Sequence, residues 1–142
     1  MAYNFRMQAA DSKMSDIGDK RHDIRVDVKS AYLPDRSEPG RNQYTFAYTI
    51  SITNRGSVPA QLISRHWVIT DGDGKVQEVR GLGVVGQQPL LQPGETFEYT
   101  SGATLATALG TMRGSYSMVD EEGQAFTATI PAFTLSVPRV LH

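Results

Sequence analysis

Residues 80–94 read RGLGVVGQQPLLQPG, and the residues after Gly86 in this stretch decide the fold. Gly81-Leu82-Gly83-Val84-Val85-Gly86 has the G-x-G-x-x-G spacing. In dinucleotide-binding folds that spacing ends a strand, turns tightly and opens a helix whose N-terminal amides hold a pyrophosphate. Here Pro89 and Pro93 come almost at once, and each removes a backbone donor that a helix needs. The segment therefore reads as a long glycine- and proline-rich loop joining two β-strands whose backbones approach closely.

The flanking sequence has the period of strands. On the N-terminal side, Ile24, Val26 and Val28 alternate with Arg25, Asp27 and Lys29, a period of two. Pro34 and the residues to Arg41 close that strand in a loop. Tyr44, Phe46, Tyr48, Ile50 and Ile52 then alternate with polar or small residues until Asn54-Arg55-Gly56-Ser57. Residues 60–70 come next, with Ile63, Trp67 and Ile69 assigned to one face. Asp71-Gly72-Asp73-Gly74 reads as a hairpin turn, because Asp-Gly supplies the positive φ a tight turn demands. A short strand over residues 75–79 leads into the glycine segment. Beyond it, strands are expected over residues 95–105, 111–120 and 124–137, with one helical turn placed within residues 103–109. Pro131 marks an edge strand or a bulge.

No segment carries apolar residues at helical spacing over several turns, and strands without intervening helices exclude a parallel α/β sheet. The expected architecture is all-β, an immunoglobulin/fibronectin type III-like β-sandwich of about seven antiparallel strands. Residues 22–142 form the single domain. Residues 1–21 are polar and aperiodic, and read as a disordered N-terminal arm or in part as expression-derived sequence. Gly114-Ser115-Tyr116-Ser117-Met118 has the G-x-Y-x-C layout of a sandwich corner, with Met118 in the cysteine position. That layout predicts a Tyr116 hydroxyl bonded back to nearby backbone and a core filled by Met118 and Trp67.

Composition narrows the function. The chain has 142 residues, the size of one domain, with 39% hydrophobic and 20% charged residues, a globular rather than a disordered balance. Fourteen basic residues stand against 15 acidic ones, which lacks the basic excess of a dedicated nucleic-acid binder. Cysteine is absent, so disulfides, thiolate metal sites and cysteine nucleophiles are excluded together. That absence and the lack of an apolar leader or spanning run point to the cytoplasm and to no membrane insertion.

The chemical motifs are few. Successive backbone amides can hold an anion without a helix. Arg80 with Gly81, Gly83 and Gly86 is therefore the candidate anion- or nucleotide-binding loop. The Asp71-Gly72-Asp73-Gly74 turn resembles the start of a calcium loop, but the distal glutamate position holds Leu82. Asp120-Glu121-Glu122 reads as a solvated turn. His22, His66 and His142 have no metal-ligand spacing, so no metal and no cofactor are expected. A G-x-S-x-G nucleophile motif is absent, and no catalytic residue is assigned.

The run DGDGKVQEVRGLGVVG over residues 71–86 resembles the ApaG family. So do Gln88-Pro89, Pro93-Gly94-Glu95, Phe97-Glu98-Tyr99-Thr100-Ser101-Gly102, Met112-Arg113-Gly114-Ser115-Tyr116 with Met118-Val119, and Ile130-Pro131-Ala132-Phe133-Thr134-Leu135. Tyr32-Leu33-Pro34 and Arg65-His66-Trp67 fit the same pattern. The resemblance covers residues 22–142. Ala108 stands where the family pattern has proline, and Val68 where it has histidine. The resemblance implies a fibronectin-type sandwich, the family glycine motif at Gly81, Gly83 and Gly86, and an association with cobalt resistance and magnesium efflux without an accepted activity. It also implies relatives in eukaryotic proteins that look like interaction modules. The functional expectation is a non-enzymatic binding module for an unidentified protein partner, linked only indirectly to cobalt and magnesium homeostasis. The alternatives are a nucleotide or pyrophosphate sensor taking an anionic small molecule on residues 80–86, and weak divalent-metal binding by surface carboxylates.

Overall fold

A computed structural model describes residues 20–139. Its strands are β1 (Ile24–Tyr32), β2 (Tyr44–Asn54), β3 (Ala60–Asp71), β4 (Val76–Leu82), β5 (Leu90–Leu91), β6 (Thr96–Leu105), β7 (Leu109–Asp120) and β8 (Ala125–Ser136). They form two antiparallel sheets. One has the order β1-β2-β6; the other has the order β4-β3-β7-β8, with the two-residue β5 also paired to β3. This is a β-sandwich, and its strand order matches the A-B-E and C-F-G pairing of immunoglobulin domains. The loop between β1 and β2 holds two single 3-10 turns, Pro34–Arg36 and Pro39–Arg41.

Alternation places the core. Phe46, Tyr48, Ile50 and Ile52 of β2 turn inward and are buried. Their neighbours Thr45, Thr49 and Thr53 face out and bond hydroxyl to hydroxyl with Thr104, Thr100 and Thr96 of β6 at 2.8–2.9 Å. Directly opposed pairs of this kind fix the register of a sheet. Trp67, Met112, Tyr116, Met118, Ile130 and Leu135 come from the other sheet to complete the core. Trp67 packs edge-on against Tyr48 and Phe133. Asn54 is the buried exception at the end of β2. Its amide donates to the Val58 and Leu91 carbonyls and its oxygen accepts from the Gly56 N–H, so its polar atoms are satisfied where burial would otherwise be costly.

The structure corrects several local expectations. Residues 80–94 are not one loop: β4 runs through Arg80 and Gly81 to Leu82, and β5 pairs within the segment. A β-bulge at Ile63 shifts the register of β3 against β7 between Leu62 and Ser64. Leu62 and Trp67 therefore both face the core although five positions separate them, and Ile63 does not share the inward row of Trp67 and Ile69. Residues 103–109 contain no helical turn; β6 ends at Leu105 and bends lead into β7. The Tyr116 hydroxyl is bonded to the Tyr99 hydroxyl at 2.6 Å rather than to backbone. Burial of that pair pushes the Tyr99 hydroxyl up to about 12 and Tyr116 higher still. Pro131 occupies both predicted settings: β8 ends its sheet, and Pro131 and Ala132 together oppose Arg113 in a bulge.

Candidate functional site

The glycine segment bridges strands and opens no helix. Its geometry starts from the alternation of β4. Arg80 pairs in register with His66 and Gly81 with Arg65, so Arg80 and Gly81 face opposite sides of the sheet. Arg80 lies on the outer face, where its Nη2 donates to Glu78 Oε1 at 3.4 Å. The same oxygen is 2.8 Å from His66 Nε2. The His66 hydrogen bond, and next its charge, hold the Glu78 carboxyl below the ordinary carboxylate range, with smaller help from Arg80 and Arg113.

Gly81 lies on the inner face beneath Arg65. A Cβ at Gly81 would stand 2.8 Å from both Arg65 terminal nitrogens, so the guanidinium rests flat on backbone that only glycine leaves clear. From there Arg65 Nη1 donates to the carbonyls of Leu82 at 3.1 Å and Gly83 at 2.9 Å. The Ile63 bulge contributes the next anchor. Its carbonyl accepts from the Gly83 N–H at 2.8 Å and from the Gln88 side-chain amide at 2.9 Å. Val84 is buried, and Val84 and Gln87 exchange two backbone bonds around a two-residue loop. Val85 (φ 41°) and Gly86 (φ 80°) form that loop, the positive pair of a type I′ hairpin.

Of the four predicted loop residues, Gly81, Gly83 and Gly86 thus belong to one tightly held turn, while Arg80 points to the opposite face. The N–H groups of Gly83 and Val84 are already given to protein carbonyls. Around the turn stand three exposed aliphatic residues: Leu82 at 75%, Val85 at 53% and Leu90 at 56% relative exposure. Leu82 and Leu90 pair with Ser64 and Gln61, both on the outer face of β3, so the two leucines share that face. Sequence reading missed this group because Leu82 and Leu90 fell within an assumed loop; the missing signal is their spacing around the turn.

The remaining candidates resolve locally. Asp71 Oδ1 accepts the N–H groups of Asp73 and Lys75 at 2.9 Å, so its carboxylate closes the hairpin. Asp120 is not a solvated turn residue. It is buried, and it accepts His22 Nε2 at 2.8 Å, Arg21 Nη2 at 3.2 Å and the N–H groups of Glu122 and Gln124. Arg21 is therefore engaged with the domain, while residues 1–19 of the predicted arm, and His142, lie outside the described residues. Among the described residues no group of three His, Cys, Asp or Glu side chains is placed to hold a metal ion, and no helix is long and apolar enough to cross a membrane.

Comparison with known proteins places this geometry. The profile of the ApaG domain family matches residues 34–120. The chain is 65% identical over 123 residues to Protein ApaG of Thiobacillus denitrificans, covering 87% of this chain and 97% of that protein. It is 61% identical over 124 residues to Protein ApaG of Nitrosomonas eutropha, covering 87% and 98%. A crystal structure of a Bordetella pertussis protein, 61% identical, superimposes with a TM-score of 0.81 over 84% of this chain and 97% of that one.

Proposed function

The chain belongs to the ApaG family, and on that premise we propose that it is a non-enzymatic binding module whose turn between β4 and β5 docks a protein partner. One observation carries this reading: Leu82, Val85 and Leu90 stand in solvent around a turn whose tip holds a β-branched residue at positive φ. Fully covering an aliphatic side chain contributes roughly 1.5–3 kcal/mol, so three together offer a partner a useful anchor. Arg65, the Ile63 carbonyl and buried Val84 hold the turn in place. A surface fixed in this way loses little freedom on binding, which favours affinity.

The cysteine-free composition supports a cytoplasmic setting, and in this reading any effect on cobalt or magnesium is exercised through the partner. A nucleotide or pyrophosphate sensor on residues 80–86 has less support, because Arg80 is turned away to Glu78 and two of the turn amides are committed.

The test is photo-crosslinking in cells from a reactive residue at position 85, with Val85→Asp and Leu90→Asp in capture experiments. Thr127→Asp, on the exposed face of β8, is the control. A partner retained by the wild type and the control but lost with both aspartate variants is expected. Capture that ignores all three substitutions would rule out this surface.

A further inference from the structure

The sandwich is closed along one long side, where β1 packs on β8, and open along the other. On the open side β4 and β6 are both edge strands, and the residues that face each other across the gap are unequal in size. Arg65, Trp67 and Ile69 of β3 look toward Ser101 and Ala103 of β6. Small residues opposite large ones leave a cleft of about 320 Å³, walled by Tyr48, Trp67 and Val79 and edged by Arg65, Gln77 and Ser101. That is the lower end of the size range of small-molecule sites, although the surface this cleft exposes is more polar than apolar, because Tyr48 and Trp67 form its floor and are themselves almost wholly buried.

Arg65 gives the cleft its chemistry. Its Nη1 is used twice, on the Leu82 and Gly83 carbonyls, and among the described residues it has no other hydrogen-bond or ion-pair partner. A guanidinium has five N–H donors, so the Nε and Nη2 edge is left without a protein acceptor. That edge is a two-pronged fork matched to a carboxylate, and its mate is held still by the turn. Among the described residues Arg65 is the only cation lining the cleft. One fixed cation without helix amides suits a monoanion better than a phosphate dianion, which draws on several donors.

We propose that the cleft between β4 and β6 binds a small organic monocarboxylate. Its carboxylate lies on the free edge of Arg65, its small aromatic or short aliphatic body lies against Val79 and Ala103 above the buried Trp67 and Tyr48, and Gln77 and Ser101 make flanking contacts. The cleft shares Arg65 with the proposed docking turn, but Ser101 lies across the cleft on β6 and Val85 and Leu90 lie on the turn, so substitutions there test the two readings separately.

Trp67 is the only tryptophan of the chain, so its fluorescence reports on the cleft directly. The experiment titrates the full chain with phenylacetate, hexanoate, phenylacetamide and phenyl phosphate, following Trp67 emission and amide NMR shifts. Saturable changes on β3, β4 and β6 are expected for the two acids, with the neutral amide at least roughly tenfold weaker. Arg65→Lys should weaken the acids by a similar factor while keeping the charge. Ser101→Phe fills the cleft from the opposite wall without touching Arg65, and should abolish binding in a folded protein even if the Arg65 variant fails to fold. Unsaturable shifts at millimolar acid, equal binding of acid and amide, tighter binding of the phosphate, or wild-type binding by folded Ser101→Phe would each overturn the proposal.

Discussion

Val85 carries a conflict that its neighbours do not. A β-branched side chain at φ 41° sits in the left-handed region, which costs an L-residue about 1–2 kcal/mol. It is also half exposed, so packing returns little of that cost. The turn type prefers Asn-Gly at these two positions, and Gly86 already supplies the second. Val85→Asn is therefore expected to stabilise the protein by about 1 kcal/mol, raising Tm by about 3–5 °C. Urea denaturation and thermal melting would show it; a lower Tm would mean that Val85 packs more than its exposure indicates. The same variant removes an apolar side chain from the proposed docking surface, so it should bind the partner less well while folding better. Natural proteins keep such costs where function needs them.

The turn between β4 and β5 is held by two glycines for different reasons, and the difference is measurable. A Cβ on Gly81 meets the tip of the Arg65 side chain, which can step aside by giving up its bonds to the Leu82 and Gly83 carbonyls. A Cβ on Gly83 meets the backbone carbonyl of Gln87, and Gly83 lies at φ 65°. Backbone cannot step aside as a side chain can. Gly83→Ala should cost about 2–3 kcal/mol, by overlap and φ together, and Gly81→Ala about 1 kcal/mol. Gly81→Ala should still displace Arg65 and speed hydrogen exchange at the turn. Equal losses in urea denaturation would show that the guanidinium is not free to move. At this scale the sequence is largely readable, since the alternation of residues 44–52 and the hairpin with positive φ at Gly74 of Asp73-Gly74 come from side-chain period and turn chemistry. The bulge at Ile63 is not readable, because the extra residue is apolar and imitates continued alternation. It inverts the parity of half a strand, and with it the assignment of Ile63 to the Trp67 row. The missed Arg65 cradle has the same origin: only the pairing of β3 with β4 reveals which face Arg65 and Gly81 share.

Across the whole molecule, the two long sides of the sandwich are finished differently, and the groups that finish them are far apart in sequence. The open side sets Arg65 against Ser101, and near the closed side His22 meets Asp120, with its ring stacked on Phe126 at 4.0 Å. No local pattern links positions 98 residues apart, so Asp120 reads as one of three exposed acids until the strands are assembled. In place, its carboxylate is inaccessible to solvent and ties residues 21–22 to the turn between β7 and β8. Burial alone would raise its pKa. The hydrogen bonds from His22 and from the Gln124 and Glu122 N–H groups, with the His22 charge, outweigh burial and hold it below the ordinary value. A carboxyl with a lowered folded-state pKa contributes stability above its unfolded pKa and loses it as pH falls through the folded one. The domain should therefore lose stability below about pH 4. Asp120→Asn keeps the shape but gives up the charge and places an amide where donors converge. It should cost about 2–4 kcal/mol at neutral pH and flatten the acid limb of the stability curve. Urea midpoints from pH 7 down to acid would check both expectations. A variant as stable as wild type at neutral pH, or one that keeps the full acid dependence, would place the acid-sensitive contact elsewhere.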